Sequence, residues 1–573
     1  MKKLFSIFLL TVVFALSFST VDNFAQTKDT LIVHALPPGN LNAVINADTT
    51  AGGESGHIYL LAPDGPVDTT YFINGEIRIK NLDLIGRINP NTGNPPAIAP
   101  FILEDGSSPG NIAVAIDNGY VHFKNLYLLG TRTDGSQVTQ QCVSTSDSCR
   151  LTMEYCIFEN FGSTGTPNIL NTWNALGTDI IVDHCLFRNN QSNIPQNPGM
   201  NWAGPGVNAI DTMKITNSTF FVMGGNIEGS GSSMAYLEFD HNTMFMHTKS
   251  SPFSMRQMHN AKITNNIFFG VYSAGLDSNH IYNSEVYNAN FFSAPAVLTM
   301  DSLGGDLTGD PYFLTEADRK VEATNNAYFW PQKIVDNFVT LNSDAKYKAV
   351  GGTITAPVWV AARPTAEAIL ALPNIKVGAE YNFNADPGFD ASLVDAAADS
   401  MARFVRYVWQ NGGDGTGARN FVNQAASIAP FDGVPSNWKT TQGYPVKENL
   451  RYTNSSLLVA ANGKPLGDLT WFPEISVGVE AQPGIPTEFT LEQNYPNPFN
   501  PTTTISYSIT NPGFVSLKVY NVLGQVVATL VNQEQNTGSY KVDFNASKLA
   551  SGVYMYSIQA GNNSLTKKML LLK

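Results

Sequence analysis

The chain has 573 residues, of which 43% are hydrophobic and only 14% are charged. It is therefore long enough for more than one folded domain and too apolar to be mostly disordered. Its 34 basic and 47 acidic residues give a formal net charge of −13, which excludes the basic surface that binding to nucleic acid or to an anionic membrane requires.

The first 25 residues have the pattern of a secretory signal peptide. Lys2 and Lys3 precede an apolar run from Leu4 to Phe18, and small and polar residues follow up to a cleavage position after Ala25. The run is too short to span a bilayer, and no later stretch is long enough. We therefore expect an exported protein without a transmembrane segment.

Four cysteines remain in the exported part of the chain, namely Cys142, Cys149, Cys156 and Cys185. Four cysteines in an oxidising compartment allow three disulfide pairings, and the sequence does not choose among them. Cys142 and Cys149 bracket a short polar loop that a disulfide could close. The spacing does not match that of a zinc site.

One pattern returns seven times between residues 121 and 292: an alternating strand, a polar pair and a short apolar run. The copies read VHFKNLYL (121–128), LTMEYCIFE (151–159), IIVDHCLFR (180–188), MKITNSTFF (213–221), LEFDHNTMF (237–245), AKITNNIFF (261–269) and SEVYNANFF (284–292). Their intervals vary between 23 and 33 residues. Such spacing is typical of a right-handed parallel β-helix, whose coils keep their strands while the loops vary. We predict this fold over residues 26–300.

Alternation along the strands predicts which side chains face the core. The inward row is Met153, Val182, Ile215, Phe239, Ile263 and Val286. A small polar row at the bend predicts an internal ladder, formed by Asn125, Cys156, Cys185, Ser218, Asn242, Asn266 and Ala289. Cys156 and Cys185 then lie on neighbouring coils, where a disulfide and two stacked thiols fit equally well.

Two outward rows carry charges. One row alternates in sign, as cross-strand pairs of a scaffold do, and consists of Lys214, Glu238, Lys262 and Glu285. The other row consists of Glu154, Asp183, Thr216, Asp240 and Thr264. Carboxylates stacked about 5 Å apart repel each other unless a proton or a cation lies between them. The second row therefore indicates a functional site.

Two segments, DIIVDHCLFRNN (179–190) and LEFDHNTMFMHTKSSPFSMRQMHNAKITNNIFFG (237–270), resemble coils of pectate lyases. The resemblance implies a calcium-dependent β-elimination on an acidic polysaccharide, with Arg256 as the base that removes the C5 proton of a uronate. Calcium would neutralise the sugar carboxylate and bridge the acidic protein to the polyanion. The expected Ca²⁺ ligands are Asp183, Glu154 and Asp240, and the expected substrate-binding residues are Lys214, Lys262 and His241.

Two other functions fit the same residues. An inverting glycoside hydrolase needs two carboxyl groups about 6.5–9.5 Å apart, and Asp183 and Asp240 are predicted to lie two coils apart, about 10 Å, just above that range. A non-catalytic surface adhesin or carbohydrate-binding rod would need only the scaffold and its exposed rows.

Residues 301–480 leave the repeat and predict a mixed α/β cap that covers the last coil. A helix is predicted over residues 392–410, with Ser392 as its N-cap and an apolar face on one side. A shorter helix is predicted over residues 364–372.

The composition changes again near residue 485. The motifs NYPNPFNP (494–501), VYNVLGQ (519–525), SGVYMYSI (551–558) and KKMLLLK (567–573) resemble the type A C-terminal sorting domain of the type IX (Por) secretion system. Short alternating strands between Gly, Asn and Ser turns predict an Ig-like β-sandwich of roughly seven strands.

The charge of this segment also differs from that of the rest of the chain. Residues 485–573 carry six lysines and four acidic residues, whereas residues 26–484 carry 26 basic and 42 acidic ones. The resemblance implies passage through the periplasm, recognition of residues 485–573 by the type IX machinery, and a final location outside the cell or on its outer surface. We expect the protein to be a monomer.

Overall fold

The computed structural model divides into two compact units, residues 1–472 and residues 473–573. Its described residues are 28–34, 41–49, 54–63, 68–100, 114–130, 142–159, 161, 169–172, 175–188, 190, 200–202, 209–223, 227, 233–247, 251–255, 258–271, 273, 276–277, 296–301, 303, 315–343, 354–362, 364–410, 449–458, 465–472, 489–491, 493–494, 497, 499–509, 513–521, 525–535, 538–546, 549–560 and 563–572. The predicted signal peptide lies outside these residues.

The first unit is built on two long parallel sheets. Successive strands of the first sheet are Asp29–Val33, Glu54–Leu61, Ile77–Gly86, Val114–Lys124, Arg150–Glu154, Leu176–Asp183, Ala209–Thr216, Ser233–Asp240, Met258–Thr264, Lys320–Thr324 and Ile375–Lys376. Those of the second sheet are Thr70–Ile73, Ala97–Pro100, Tyr127–Leu129, Ile157–Glu159, Leu186–Arg188, Thr219–Phe221, Thr243–Phe245, Ile267–Phe269, Ala327–Phe329 and Phe383–Asn384. The mostly β architecture with long parallel sheets is confirmed.

Shorter strands lie beside these two sheets. Val143–Thr145, Leu170–Asn171 and Asn201–Trp202 branch from the first sheet, and Phe253–Ser254, Ala296–Met300 and Val358–Ala362 form a parallel sheet of three strands. Leu276–Asp277 and Ile354–Thr355 pair antiparallel.

A two-residue bend joins the two strands of each repeat. The first bend residue adopts a left-handed conformation, with φ between 47° and 61°. This residue is Asn125, Tyr155, His184, Asn217, His241, Asn265 or Asn325 in successive repeats. Asn and His tolerate positive φ better than most residues, so the polar pair in each repeat marks the place where the chain turns from the first sheet to the second.

The inward row of the first sheet is confirmed in the described residues. Met153, Val182, Ile215, Phe239 and Ile263 are fully buried, while Val286 lies outside the description, as does the whole copy 284–292. On the second sheet, the rings of Phe158, Phe187 and Phe220 stack with centroid distances of 5.1 and 4.8 Å. The core is therefore a continuous column between the sheets.

The internal ladder follows the second bend residue. The side-chain oxygen of Asn242 accepts from the backbone N–H of Ser218 at 2.9 Å, and Asn266 accepts from Asn242 at 2.7 Å. Cys185 accepts from the backbone of Cys156 through its sulfur at 3.4 Å. Each side-chain acceptor thus pairs a backbone N–H group that the bend would otherwise leave without a partner.

The predicted ladder is one residue too early in the first repeat. Strand register places Lys124 beside Glu154 and Leu128 beside Phe158. Leu126, not Asn125, therefore corresponds to Cys156. Asn125 is instead the left-handed residue of its bend, and its polarity serves that conformation.

The two sheets continue beyond residue 300. Lys320–Thr324 and Ala327–Phe329 extend both sheets, and the ladder passes from Asn266 to Asn326 and then to Asn382, each at 3.0 Å. The segment VEATNNAYF repeats the bend of AKITNNIFF, so the sequence did contain the signal for this copy.

Helices flank these sheets. They are α1 (Leu41–Asp48), α2 (Gln332–Ser343) and α3 (Ala391–Gln410), with a 3₁₀ helix over Pro364–Ala371. The helix predicted at 392–410 is confirmed, but Ser392 is not its cap. Asp390 accepts from the backbone of Ser392 at 2.9 Å and of Leu393 at 3.2 Å, which is the bonding of an N-cap.

All four cysteines are buried free thiols in the structure. Of the two alternatives for Cys156 and Cys185, the structure therefore has the stacked thiols. Burial of Cys185 raises the pKa of its thiol well above the usual value.

The second unit consists of antiparallel strands. One sheet contains Thr490–Leu491, Thr502–Ile509 and Gly538–Asn545, and the other contains Val526–Gln535, Gly513–Tyr520, Gly552–Ala560 and Asn563–Leu571. One cluster of buried residues joins the two sheets and includes Ile505 and Tyr507 from the first and Leu517 and Tyr556 from the second.

Candidate functional site

The outer side of the first sheet carries most of the residues that the sequence singled out. We call it the polar face and define it by three outward rows of side chains. Register places them in the order Lys124, Glu154, Asp183, Thr216, Asp240 and Thr264; Asp83, His122, Thr152, Ile181, Lys214, Glu238, Lys262 and Glu322; and Tyr120, Arg150, Asp179, Thr212, Tyr236 and Asn260. The predicted carboxylate row is thus one line of aligned positions.

Asp183 and Asp240 occupy equivalent environments two strands apart. Oδ1 of Asp183 accepts from Thr216 Oγ1 at 2.5 Å and from Asn217 Nδ2 at 3.0 Å. Its other oxygen lies 2.7 Å from Nδ1 of His184. Both carboxylate oxygens are therefore bound by donors of the protein.

Asp240 repeats this pattern with partners of the same residue types. Thr264 donates to its Oδ1 at 2.5 Å and Asn265 donates at 2.7 Å, while His241 Nδ1 lies 2.7 Å from Oδ2. Burial raises the pKa of both aspartates, but these hydrogen bonds outweigh burial and lower it below the usual value. Both carboxyl groups are therefore ionised at neutral pH.

An ion cluster lies at the N-terminal end of the polar face. His122 lies between two carboxylates, with Nδ1 3.4 Å from Asp83 and Nε2 3.0 Å from Glu154. Lys28 contacts Asp83 at 3.0 Å, and Lys124 contacts Glu154 at 2.9 Å. These contacts tie together the outer side chains of neighbouring strands.

The charges in this cluster stabilise one another. Burial alone would lower the pKa of His122, but hydrogen bonds to Asp83 and Glu154 raise it to about 9. The bond from His122 lowers the pKa of Glu154 to about 2, against its burial. Burial of Asp83 is likewise outweighed by bonds from His122, Tyr120 and Lys28, and its pKa falls to about 2.

The alternating row behaves as cross-strand pairs. Lys214 lies 3.4 Å from Glu238, and its side chain is 43% exposed. Lys262 is exposed and lies in register between Glu238 and Glu322. Glu285, which was expected to follow Lys262, lies outside the described residues.

Of the other expected site residues, the structure describes His241 but not Arg256. His241 is buried beside Asp240, so it positions that carboxylate. Arg256, the expected base, is not among the described residues, and its role stays a prediction. The structure therefore brings Asp183, Asp240 and Glu154 onto one face, together with the two lysines.

A second group lies where the polar face meets the second sheet. The ring of Tyr155 stacks on that of His184 with centroids 4.7 Å apart, and Lys124 lies 5.8 Å from the Tyr155 ring. Burial would lower the pKa of His184, but Asp183 and, more weakly, Asp468 raise it. The contact with Asp183 therefore favours the protonated form of His184.

Asp468 belongs to the last described segment of the first unit. Its carboxylate is buried and accepts from Thr219 Oγ1 at 2.7 Å and from the backbone of Thr470 at 2.9 Å. Trp471 donates to the same Thr219 oxygen at 2.9 Å. Burial raises the pKa of Asp468 to about 6, in spite of these bonds.

The carboxylate row does not fit a calcium ion as the structure has it. Ca²⁺ takes six to eight oxygen ligands, whereas the oxygens of Asp183 and Asp240 already accept from hydroxyl, amide and imidazole donors, and Glu154 contacts two cations. Within the described ranges, no three His, Cys, Asp or Glu side chains come together as a metal site would require. Calcium dependence remains a prediction.

Sequence reasoning missed the ion cluster and Asp468. The signal for the cluster was weak, because Asp83 and His122 lie 39 residues apart in a part of the chain where the repeat is irregular. A comparison of Asp83 with the inward Leu82 and Leu84 shows that it points outward, but nothing in the sequence indicates its partner. Asp468 lies outside every repeat.

Comparison with known proteins identifies the C-terminal unit. Residues 493–572 match the family model of the secretion system C-terminal sorting domain. Neither the curated proteins nor the solved structures contain a match to the chain. Among the described residues, no helix is both long and apolar enough to cross a membrane. The protein carries a type IX sorting domain, interacts through it with the type IX machinery, and is exported to the cell surface or secreted.

Proposed function

We propose that this exported protein binds an acidic polysaccharide along its polar face. We also propose that the repeats form a right-handed parallel β-helix with a mixed α/β cap, and that the sorting domain is an Ig-like sandwich. The observation that carries the functional proposal is the group of fixed, ionised carboxylates on this face. Asp83, Glu154, Asp183 and Asp240 are each held by protein donors, yet their side chains remain between 15% and 30% exposed.

Such groups suit a glycan. An ionised carboxylate accepts hydrogen bonds from sugar hydroxyls, and because its geometry is already fixed, little conformational entropy is lost on binding. The exposed ammonium groups of Lys214 and Lys262 lie on the same face and would contact the carboxylates of a uronate chain. Glu154 and Asp183 lie on neighbouring strands, about 4.8 Å apart, and Asp240 lies two strands further along the same row.

The hydrolase alternative is less well supported. An inverting hydrolase needs one carboxyl group that is protonated at working pH. The pKa values of Asp183 and Asp240 are both lowered, so neither suits the role of general acid. The lyase alternative depends on Arg256 and on calcium, and both can be tested in the same assay.

The experiment measures binding of the purified protein to polygalacturonate, alginate and a neutral xylan by isothermal titration calorimetry. Each glycan is tested with calcium and with chelator, and absorbance is followed for unsaturated product. We expect tighter binding to the two uronates than to xylan. We also expect Lys214→Ala with Lys262→Ala to weaken uronate binding roughly threefold to tenfold, as the loss of two exposed ion contacts implies.

Lys333→Ala is the matched control. Lys333 has the same 43% side-chain exposure as Lys214 and also contacts carboxylates, at 3.1 and 3.0 Å, but it lies on α2. Its loss should leave affinity unchanged. Product that depends on calcium and disappears in Arg256→Ala would establish the lyase. Absence of binding to every glycan would refute the proposal, and equal binding to xylan would refute the preference for acidic chains.

A further inference from the structure

The outer face of the four-stranded sheet in the sorting domain has an unusual composition. In the register of this sheet, Tyr520 lies opposite Met555, and Met555 lies opposite Lys568. On its other side Tyr520 lies opposite Val526, directly after a register shift at Val519. Directly opposed residues of an antiparallel pair point to the same side. These four side chains therefore form one row across all four strands.

The row points away from the core. Val519 and Tyr556, which precede and follow members of the row on their strands, are buried between the sheets. Val526 is exposed and Met555 is 39% exposed. Val553, two positions before Met555 and so on the same side, is exposed as well. We call Tyr520, Val526, Val553 and Met555 the transverse strip.

The transverse strip is confined to one end of this face. The next cross-strand row on the same side consists of Thr529, Lys518, Ser557 and Thr566, which is the polar composition expected of a solvent-facing sheet. The core does not need outward apolar residues, because the inner sides of both sheets already fill it. A contiguous exposed apolar patch of this kind marks an interaction surface.

Lysines border the strip. Lys568 ends its row on the edge strand, and Lys518 lies in the adjacent row on the same side. The sorting segment has more lysines than acidic residues, whereas the rest of the exported chain is strongly acidic. An acidic partner would therefore be attracted to this unit and repelled by the remainder of the protein.

We propose that the transverse strip is the surface by which the sorting domain docks onto a protein of the type IX machinery, and that this protein presents an apolar patch bordered by carboxylates. The strip supplies the buried centre of the interface, and Lys518 and Lys568 supply its charged rim. The proposal is independent of the glycan-binding proposal, since it concerns only the exported state that the sorting domain establishes.

The test uses the full chain produced in a host with a working type IX system. The fraction of the protein that reaches the medium and the cell surface is compared with the fraction retained in the periplasm. We expect Tyr520→Ser with Met555→Ser to reduce export at least tenfold, and Lys568→Glu to reduce it severalfold. Leu565→Ser is the matched control, because Leu565 is 38% exposed on the same sheet but points to the other side, and its export should stay at the level of the unchanged protein.

A second measurement separates docking from folding. A photoreactive phenylalanine analogue at position 555 of the full chain should form a covalent adduct with a machinery protein, and the analogue at position 565 should not. Thermal unfolding of each variant, purified from the retained fraction, should match that of the unchanged protein. Normal export of the folded double variant would overturn the proposal, as would adducts at position 555 that contain only lipid.

Discussion

At the scale of single residues, the internal ladder depends on amides that both accept and donate. Oδ1 of Asn242 accepts from Ser218, while its Nδ2 donates to the carbonyl of Ile215 at 2.9 Å. A carboxylate could keep only the first bond, because it has no N–H to donate.

Asn242→Asp should therefore destabilise the first unit by about 3 kcal/mol at neutral pH, since it buries an uncompensated charge. The loss should shrink as the pH falls towards about 4, because burial raises the pKa of the new carboxyl and its protonated form can donate to Ile215. Denaturant unfolding at pH 7 and pH 4 measures both values. Asn46→Asp, at an exposed position of α1, is the control and should change little; an equal effect at both positions would contradict this role of the ladder.

A second residue-scale effect concerns His122. Its pKa is raised from 6.5 to about 9, so the folded state binds its proton more tightly than the unfolded state does. Its contribution is fully present below about pH 6.5 and is lost as the pH rises through about 9. The carboxylates of Asp83 and Glu154, lowered to about 2, contribute above about pH 4.5 and lose their contribution as the pH falls through about 2.

We therefore expect the cluster to stabilise the fold most between about pH 4.5 and pH 6.5, and the free energy of unfolding to fall by about 2 kcal/mol between pH 6.5 and pH 9.5. In His122→Gln this alkaline decrease should be largely absent, since glutamine does not titrate. Denaturant midpoints across this pH range measure the decrease. An equally large decrease in the variant would exclude His122 as the group that causes it.

At the scale of elements, the segment 465–472 is held against the second sheet by few but specific contacts. Gly467 donates to the carbonyl of Asn265 at 2.7 Å, and Asp468 donates through its backbone to Thr243 at 2.9 Å. The carboxylate of Asp468 is the buried charge among them, and its pKa of about 6 lies above the unfolded value of 3.8.

The sign of this pKa shift predicts that segment 465–472 is held against the second sheet more tightly in acid. A raised carboxyl pKa means that the folded state prefers the protonated form, so its contribution is present at about pH 4 and is lost as the pH rises through about 6. Hydrogen exchange of Gly467 and Asp468, corrected for intrinsic rates, should show at least roughly tenfold more protection at pH 4.5 than at pH 7.5. Asp468→Asn should remove this difference, and a difference that persists would assign it to another group.

The strands also show which contacts could be predicted from the sequence alone. The column of Val182, Ile215 and Phe239 could be predicted because alternation along a strand is a local property. The partners of Asp83 and Asp468 could not, because they depend on strands far apart in sequence. The carboxylates of the polar face lie between these two cases: the repeat places Asp183, Thr216, Asp240 and Thr264 in one row, but it does not indicate that the Thr and Asn side chains bind the carboxylates.

At the scale of the whole molecule, the sorting domain determines the route of the protein. We expect the exported form to lack residues 1–25 and most of residues 485–573. Both segments serve to direct the chain out of the cell, and neither contributes a residue to the polar face. Intact-mass measurement of protein from the medium and the cell surface tests this. Deletion of residues 485–573 should leave the remainder in the periplasm, and export of that deletion variant at the normal level would contradict the role of the segment.

The passage of the ladder from Asn266 to Asn326 has a further consequence for how this scaffold can change. Sixty residues separate the two asparagines, yet their hydrogen bond of 3.0 Å is of ordinary length. The ladder therefore keeps successive repeats in register whatever the length of chain between them. Because the entropy of closing a loop grows only logarithmically with its length, and because each repeat is stabilised mainly by its two neighbours, long insertions cost the scaffold little. New binding loops, or even whole domains, can be acquired at such a junction without re-optimising the stack, so the architecture can diversify its ligands while its core sequence stays nearly constant.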